Sequence, residues 1–239
     1  LAAGLAEHGW THQAWAPAPT CDDRGNRVFV ASRLPLASPA SAAAPDPAAA
    51  ADAPAPAPTV PECLTGRWLD LSVAHGRFLL SVIHIPDDSR PGDKARAWRF
   101  LVDLARTRRD RPWVVLGDMN TGRHGIDEPG RRFGCVPLLG TLLSLGYVDA
   151  WRTLHPGVRE GTWKSHAGND FRLDAAYLSP ALAGALRGAS HADGARADGW
   201  SDHAPLRVEL DFDGAPSSPE AALSVAPRTR ERPKSGAER

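Results

Sequence analysis

The chain is poor in the residues and segments that identify several common classes of protein. Its 239 residues include three cysteines, Cys21, Cys63 and Cys135, and no Cys-X-X-Cys pair. An odd number of widely spaced cysteines argues against a disulfide scaffold and a thiolate zinc site, so we expect reduced, structural thiols. No apolar run approaches the roughly 20 residues of a membrane helix, and residues 1–20 lack the pattern of a signal peptide.

An excess of charge of one sign is also missing. Lysine plus arginine and aspartate plus glutamate both number 28, so the formal net charge is zero. This balance removes the global signature of a nucleic-acid-binding protein but is compatible with a local basic groove. The high content of alanine, arginine and proline is typical of a GC-rich bacterial genome, and with no membrane or export signal we expect a cytoplasmic protein.

The composition predicts one domain with a low-complexity insertion. Residues 37–61 are almost entirely alanine, proline, serine and aspartate, with no large apolar residue before Val60. Such a segment buries too little apolar surface to offset the entropy of ordering, so we predict a disordered insertion within a domain over residues 1–213. The composition of residues 214–239 predicts a disordered tail.

Apolar periodicity predicts strands with helices between some of them. The predicted strands are 10–16, 27–33, 68–73, 78–85, 113–116, 162–163, 171–178 and 206–212. Helices are predicted at 91–107 and 136–145, with a short helix before Gly9. This alternation indicates an α/β fold of two packed sheets covered by helices.

Asp118 and Asn120 follow a run of four apolar residues, 113–116, and a glycine. Such a run predicts a buried strand, and Gly117 lets the backbone turn at its end. Side chains two apart on an extended chain point to the same side, so both are expected at one sheet rim. A carboxylate there can take a proton from water or hold a cation, and an amide can donate to a phosphate oxygen. An ordinary Asx turn would give the same pattern.

A second polar group combines Asp174 with Ser201, Asp202 and His203. Histidine changes charge near neutral pH, and a carboxylate can orient it or stabilise its cation. The side chains of Asp202 and His203 diverge because the residues are successive, so His203 needs a carboxylate from elsewhere. Asp174 interrupts an apolar strand, where an unpaired aspartate is costly, and is the expected partner. The alternative is that residues 201–203 form an ordinary surface loop.

Together these motifs resemble the endonuclease/exonuclease/phosphatase family, which includes exonuclease III-like AP endonucleases and pancreatic-type deoxyribonuclease. The matching segments are SRLPL at 32–36, VIHIP at 82–86, GDMN at 117–120, GTW at 161–163, FRLDAAYLSP at 171–180 and SDHAPL at 201–206. They follow the family's order and cover most of residues 10–212. The resemblance implies a four-layer αββα sandwich of two mostly antiparallel sheets, and a metal-dependent phosphoesterase with its catalytic rim on strand-end loops.

Carried over residue by residue, the resemblance implies a role for each polar residue. Asp118 would orient and deprotonate the attacking water, and Asn120 would bind the scissile phosphate. His203, paired with Asp174, would contact the phosphate and stabilise developing charge. Asp202 would lie near a divalent cation, which oxygen ligands favour as Mg²⁺ or Mn²⁺.

Four further residues are assigned by position. His84 falls where the family places a histidine or tyrosine that contacts the phosphate or serves the leaving oxygen. Arg123 lies just past the Asp118 motif and can grip a backbone phosphate. Trp163 and Phe171 flank a loop and can stack on a base or an abasic gap, although a place in the core is equally compatible with their pattern.

The opening of the chain departs from the family pattern. Members begin with a strand that ends in asparagine, followed by a helix and a strand that end in Gln-Glu, whose glutamate binds the metal. This chain opens at what resembles the following helix, begins with Leu1 and has Met119 as its only methionine. Glu7 lies inside that helix and is not assigned as a ligand. We therefore expect an N-terminally truncated sequence without the main metal ligand, so full activity of this exact chain is not assumed.

Three functional hypotheses follow. The first is a magnesium-dependent endonuclease or exonuclease that acts on DNA phosphodiesters, with DNA repair as the expected setting. The second is a phosphatase or phosphodiesterase of a small or lipid-derived phosphoester, because the family also cleaves inositol phosphates and sphingomyelin. The third is a truncated, non-catalytic scaffold. We favour the first, and expect a monomer that binds no membrane.

Overall fold

The structure, a computed structural model, describes residues 1–18, 27–39, 58–130, 132–192 and 194–212. The helices are α1 Ala2–Glu7, α2 Pro91–Arg108, α3 Val136–Ser144, α4 Ala150–Leu154, α5 Pro180–Ala183 and α6 Gly194–Ala197. The strands are β1 His12–Trp15, β2 Phe29–Ser32, β3 Leu36–Ala37, β4 Trp68–Val73, β5 Phe78–His84, β6 Trp113–Asp118, β7 Val148–Asp149, β8 Trp163–Lys164, β9 Asp170–Phe171, β10 Asp174–Leu178, β11 Leu186–His191 and β12 Leu206–Leu210. In these ranges, no helix combines the length and the apolar character needed to cross a membrane.

The central element is a six-stranded sheet with the order β3-β4-β5-β6-β10-β7. Neighbouring strands are antiparallel except β5 and β6, which are parallel. The other described strands form three two-stranded sheets, β1–β2, β8–β9 and β11–β12. The predicted α/β fold of mostly antiparallel sheets is therefore confirmed, although the described strands form four sheets where the resemblance implied two.

Each face of the central sheet has its own hydrophobic core. Trp113 and Val115 of β6 face one cluster, in which Trp98 and Leu101 of α2 and Leu142 of α3 are buried. Burying an aliphatic side chain of this size stabilises the fold by roughly 1.5–3 kcal/mol. This face is therefore the one that α2 and α3 cover.

The opposite face carries the alternate side chains of the same strands, as the period of two requires. Val114 of β6 and Ala176 of β10 belong to a second cluster with Trp151 of α4, Leu182 of α5 and Ala189 of β11. The central sheet thus lies between a helical layer and a layer that includes the β11–β12 pair.

The two long predicted helices are present with nearly the predicted bounds. Pro91 opens α2, where its fixed φ suits the first helical turn and its missing N–H has no intrahelical partner to lose. Asp93 lies in the first turn, and Arg106 and Arg108 lie in the last, in the order that the helix dipole favours. The helix predicted at 136–145 is α3.

The strand predicted at 171–178 is interrupted, which corrects the sequence analysis. β9 ends at Phe171 and β10 begins at Asp174. Between them, the Arg172 side chain is buried in hydrogen bonds to Asp127 and Asp149, so the chain leaves the sheet there. The two-residue strands β3 and β7, the six-residue strand β11 and the helices α4, α5 and α6 were not predicted, because none of them contains an apolar pattern long enough to indicate its structure.

Part of the predicted insertion is regular structure. Leu36 and Ala37 form β3, which pairs with Val73 and Ser72 of β4. Residues 40–57 of that insertion, the predicted tail 214–239 and Cys21 lie outside the described residues.

The two described cysteines, Cys63 and Cys135, are half-buried free thiols. Burial raises the pKa of each one, which favours the neutral thiol. Both observations agree with the structural role that the sequence predicted for them.

Gly117 allows β5 and β6 to run side by side to their carboxyl ends. Its φ is +139°, and a Cβ atom there would lie 1.9 Å from the carbonyl oxygen of Ile83. No other residue type fits without moving one of the strands. This contact comes one residue before Asp118 and therefore fixes where that carboxylate emerges.

Candidate active site

Three polar side chains meet at one edge of the central sheet. The parallel pairing of β5 and β6 places His84 opposite Asp118, and the antiparallel pairing of β6 and β10 places Asp174 opposite Asp118. The carboxyl ends of β5 and β6 and the amino end of β10 therefore share this edge. His84 Nε2 lies 3.7 Å from Asp118 Oδ2.

Asn120 folds back onto Asp118. Its backbone N–H donates to Asp118 Oδ1 at 2.8 Å, and its Nδ2 donates to Asp118 Oδ2 at 3.2 Å and to the Ile85 carbonyl at 2.8 Å. Its φ is +46°, a left-handed conformation that asparagine tolerates better than most residues. The motif is thus an Asx turn, and the same turn holds the amide beside the carboxylate.

The loop of residues 201–203 reaches this edge from the end of the chain. His203 forms an antiparallel bridge with Trp163, and the Ala204 N–H donates to the Thr162 carbonyl at 2.7 Å. His203 Nδ1 lies 2.7 Å from Asp174 Oδ2. The structure therefore places His203 against the carboxylate that the sequence analysis expected as its partner.

Thr162 connects the two halves of this arrangement. It is fully buried, and its Oγ1 accepts from the backbone N–H groups of Leu173 at 3.0 Å and Asp174 at 3.1 Å. Its carbonyl holds the His203 loop through Ala204. Sequence reasoning did not assign Thr162, although its place in the GTW segment was a signal.

The environment of Asp118 favours a protonated carboxyl. Burial and then the negative charge of Asp174 raise the pKa of Asp118 to about 7. A carboxylate with a pKa near neutrality is suited to accept and release a proton at physiological pH.

The two histidines are shifted in opposite directions. Burial and the positive charges of Arg67 and His203 lower the pKa of His84 to about 4, so His84 is neutral at pH 7. Burial by itself would lower the pKa of His203, but the hydrogen bond to Asp174 and its charge outweigh burial and raise it. The cationic form is therefore favoured at His203 and disfavoured at His84.

Most of the predicted residues line one cleft of about 530 Å³. Its lining residues are His84, Asp87, Asp118, Asn120, Trp163, Leu173, Asp174, Ser201, Asp202 and His203. An adjoining cleft of about 300 Å³ shares part of this wall. Its lining residues are Asp87, Asp88, Ser89, Asn120, Arg132, Phe133, Trp163, Phe171 and Leu173.

Aromatic rings form one side of the adjoining cleft. The ring centroids of Trp163 and Phe171 are 5.9 Å apart, and those of Phe133 and Phe171 are 5.8 Å apart. Phe171 is 7% exposed and is mainly a supporting core residue, whereas Trp163 is half-buried and its Nε1 donates to Asp202 Oδ2 at 3.3 Å. Phe171 therefore has the place in the core that one interpretation gave it, and a stacking role for Trp163 stays a prediction.

Arg123 lies apart from these residues. Its side chain is exposed, it is not among the described residues that line either cleft, and its backbone N–H donates to Asp127 Oδ2 at 2.7 Å. A phosphate contact by Arg123 stays a prediction.

Lys94 and Arg67 support the site and were not assigned from the sequence. Lys94 is 1% exposed, and its Nζ donates to the Asn120 carbonyl at 2.5 Å and to Asp88 Oδ1 at 2.7 Å. Arg67 Nη1 lies 3.2 Å from both ring nitrogens of His84. The available signal was a lysine at helical spacing before the buried Ala97 and Trp98.

The donor set has the chemistry of a hard divalent cation site. Asp118, Asp174 and Asp202 bring three carboxylates to one cleft. Within the described part of the chain, no group of three or more His, Cys, Asp or Glu side chains could hold a metal ion by itself. Mg²⁺ commonly binds one or two protein carboxylates together with water and substrate phosphate oxygens, so these residues fit a cation shared with a phosphate.

Comparison with solved structures shows the same fold in nucleic-acid enzymes. The 3′ phosphatase NExo from Neisseria bound to a product DNA hairpin is 23% identical to this chain, with a TM-score of 0.62. The alignment covers 88% of this chain and 82% of the NExo chain. The 3′-5′ exonuclease NExo from Neisseria meningitidis is 24% identical to this chain with a TM-score of 0.64, and the alignment covers 88% of this chain and 83% of the exonuclease. An AP endonuclease from Archaeoglobus fulgidus is 20% identical with a TM-score of 0.65, over 88% and 82%.

The family itself is identified by sequence. No curated protein matches the chain. The model of the endonuclease/exonuclease/phosphatase family matches residues 2–203, which include every segment that carries the resemblance except the last three residues of SDHAPL, 204–206. The chain therefore belongs to the endonuclease/exonuclease/phosphatase family, whose members are phosphoester hydrolases and nucleases.

Proposed function

We propose that this protein is a divalent-cation-dependent nuclease that hydrolyses DNA phosphodiesters. The observation that carries the proposal is the row of His84, Asp118 and Asp174 on adjacent strands, completed by His203 at 2.7 Å from Asp174. The row combines a carboxylate poised to take a proton with an imidazole that favours positive charge.

Asp118 is the general base in this proposal. Its carboxylate accepts the proton of the attacking water, for which a pKa of about 7 is well matched to neutral conditions. Asn120 is held beside it by two hydrogen bonds, and its amide would donate to a phosphate oxygen when the substrate displaces the longer of its two bonds, the one to Asp118 Oδ2 at 3.2 Å. Lys94 fixes the turn through the Asn120 carbonyl.

His203 and His84 contact the phosphate from two sides. Asp174 favours the imidazolium of His203, which stabilises the charge that develops on the phosphate oxygens. His84 is neutral and can donate one hydrogen bond, while Arg67 beside it supplies a fixed positive charge. Together they serve the phosphate and the leaving oxygen.

Asp202 is the residue that we assign to a divalent cation, Mg²⁺ or Mn²⁺. Its side chain lies in the same cleft as Asp118 and Asp174, and Trp163 orients it through the Nε1 hydrogen bond. The bound cation would supply Lewis-acid polarisation of the phosphate.

The adjoining cleft supports a nucleic-acid substrate over a small phosphoester. Three aromatic side chains, Phe133, Trp163 and Phe171, stand beside the catalytic residues, where a sugar or a base next to the scissile phosphate would lie. Arg132 and Arg123 are exposed cations that can contact neighbouring phosphates. An inositol or lipid headgroup would leave the aromatic wall without a planar partner.

The experiment compares four substrates with the wild-type chain and two variants. The substrates are a labelled DNA duplex, a duplex with an abasic site, an oligonucleotide with a 3′-phosphate, and bis(4-nitrophenyl) phosphate. Each is tested with MgCl₂, MnCl₂ or EDTA. Asp118→Asn is the catalytic variant, and Asp110→Asn, an exposed aspartate outside both clefts, is the matched control.

The outcomes separate the three hypotheses. Cation-dependent cleavage of DNA that is lost in Asp118→Asn and kept in Asp110→Asn would support the nuclease. Release of phosphate from the 3′ end alone would support a DNA phosphatase, and hydrolysis of the small ester without DNA cleavage would reject the nuclease. No hydrolysis of any substrate would favour the non-catalytic scaffold.

Cation binding is tested separately by calorimetry. Mg²⁺ is titrated into the wild-type chain and into Asp202→Ala, with and without a non-hydrolysable oligonucleotide. We expect a binding signal that strengthens with the oligonucleotide and is lost in the variant. Equal binding by both proteins would reject Asp202 as a ligand.

A further inference from the structure

Trp200 is a large apolar side chain that the fold leaves in water. It is 84% exposed, compared with 38% for Trp10 and 45% for Trp15. It directly precedes Ser201, Asp202 and His203, which line the catalytic cleft. Neither the hydrophobic cores nor the proposed chemistry uses it.

The backbone that carries this indole is held in place. The N–H groups of Trp200 and Ser201 both donate to the Ala195 carbonyl, at 2.9 Å and 3.2 Å. Gly199, with a φ of +73°, turns the chain there, and the His203 N–H donates to Ser201 Oγ at 3.1 Å. A tryptophan on a fixed backbone has only two side-chain torsions to restrict when it binds a ligand.

The surroundings favour a planar ligand over an apolar partner surface. The neighbours Asp198, Gly199, Ser201 and Asp202 are polar or small. Among the described residues, the other exposed large apolar side chains are Leu1, Trp10, Trp15, Leu34, Val60, Leu154 and Val158, and none of them belongs to the segment 194–204 that carries Trp200. A protein interface usually needs an apolar patch of a few hundred Å², whereas a base needs one ring.

We propose that Trp200 stacks on a nucleobase that flanks the scissile phosphate, and so positions a single-stranded stretch of nucleic acid at the cleft. The inference rests on the proposed nuclease function and specifies one of its contacts. Trp163 contacts Asp202 from within the cleft, and Trp200 stands at the start of the same loop. The loop that carries Asp202 and His203 therefore contacts one indole, that of Trp163, and directly follows another in the sequence, that of Trp200.

Binding without cleavage tests the contact first. Anisotropy of a labelled single-stranded oligonucleotide is measured in EDTA with wild type, Trp200→Ala, Trp200→Phe and the control Trp10→Ala, which removes a second partly exposed tryptophan, one that contacts Arg33 and does not belong to the loop of residues 201–203. Stacking of about 1.4 kcal/mol predicts a tenfold weaker Kd for Trp200→Ala, a smaller change for Trp200→Phe and no change for Trp10→Ala. Equal affinity of wild type and Trp200→Ala would contradict the contact.

Removal of single bases identifies the stacking partner. The same proteins are titrated with oligonucleotides in which one base at a time is replaced by an abasic residue. We expect one position at which removal of the base weakens binding by wild type but not by Trp200→Ala, because the variant already lacks the indole that would stack on that base. If both proteins lose the same affinity at every position, the indole has no base partner and the inference is wrong.

A small substrate separates this inference from the proposed function. Trp200→Ala should lose far less kcat/KM on bis(4-nitrophenyl) phosphate than on DNA, because that ester has no flanking nucleotide for the indole to position. If wild type cleaves DNA and Trp200→Ala binds and cleaves it equally well, only the role of Trp200 is rejected. If wild type neither binds oligonucleotides nor cleaves DNA, the nuclease and the stacking role both fail.

Discussion

Arg172 and Asp174 are two positions apart in the chain but belong to two groups of charged residues with opposite environments. Asp174 belongs to the cleft. There the Asp118 side chain is 17% exposed, and among the contacts of the described residues no arginine pairs directly with Asp118. Arg172 belongs to a buried network in which Asp127 is fully buried at its side chain. The carboxylates of the cleft group are paired with histidines, and the carboxylates of the buried group are paired with arginines.

The charged groups of the buried network are paired with one another, although Arg152 Nε is buried without a hydrogen-bond partner among the described residues. Arg172 Nε donates to Asp127 Oδ1 at 2.8 Å and Arg172 Nη2 donates to Asp149 Oδ2 at 2.6 Å, while Arg152 Nη2 donates to Asp127. Burial would raise the pKa of Asp127, but the hydrogen bonds and charges of the two arginines hold it below its ordinary value. In the cleft, burial and a like charge raise the pKa of Asp118 instead.

The difference shows that the partner, more than burial, decides what a carboxylate does. Both aspartates are substantially removed from water. Asp127 contacts arginine side chains and is a structural ion, so its removal would lower the free energy of unfolding. Asp118 has a second carboxylate nearby and is a group that can exchange a proton.

The largest expected effect is on catalysis at Asp118. Replacement by asparagine removes the base but keeps the size of the side chain, so kcat should fall by about 10²–10⁴-fold. The free energy of unfolding should stay the same or rise, because a destabilised charge is removed. Steady-state kinetics on DNA with matched thermal melts check both, and a variant that keeps wild-type activity would exclude Asp118 as the base.

The corresponding change in the buried network should act on stability. Asp127→Asn leaves Arg172 and Arg152 with an uncompensated charge, so the free energy of unfolding should fall by about 3–5 kcal/mol. Denaturant unfolding at pH 7 measures it, with Asp118→Asn as the matched control. A loss below 1 kcal/mol in Asp127→Asn would mean that the two groups do not differ as described.

Acid should reveal the same contrast with a smaller loss. The pKa of Asp127 is lower in the folded than in the unfolded protein, so its contribution to stability is complete above the unfolded value of about 3.9 and is lost as pH falls through the folded value. We expect the denaturation midpoint of wild type to fall below pH 4, and Asp127→Asn to lack this component. Parallel pH curves for the two proteins would contradict it.

The smallest effect concerns the pH dependence of activity. Because Asp118 must be ionised, kcat/KM should decrease as pH falls below about 7. Asp174→Asn removes the like charge that helps to raise this pKa, so the acidic limb of its residual activity should move to lower pH by about one unit. An unmoved limb, measured at constant cation concentration, would show that Asp174 does not set it.

Much of the arrangement could be predicted from local sequence. The α2 and α3 helices and the strands β4, β5 and β6 follow from apolar periodicity and from proline and glycine at their ends. His84, Asp118 and Asp174 were recognisable as polar residues at strand ends. The break at Arg172 could not be predicted, because it depends on Asp127 and Asp149, which are 45 and 23 residues away.

The supporting residues were missed for the same reason. Arg67 has an ordinary local pattern, and the GTW segment at Thr162 and the helical spacing of Lys94 did not indicate a role by themselves. The importance of all three comes from contacts with distant backbone or side-chain groups. Lys94 is recognisable only when the Asn120 carbonyl, 26 residues away, is found against its ammonium.

The sequence by itself determined the kinds of chemical group available, the strand ends that carry them and the family, because these depend on residue type and short-range spacing. The tertiary structure alone decided which carboxylates meet arginines and which meet each other. The strand register places Asp118 between His84 and Asp174. The two-residue gap between β9 and β10 lets Arg172 bind Asp127. Electrostatic interactions depend on distance in space, and the order of residues in the chain does not specify that distance.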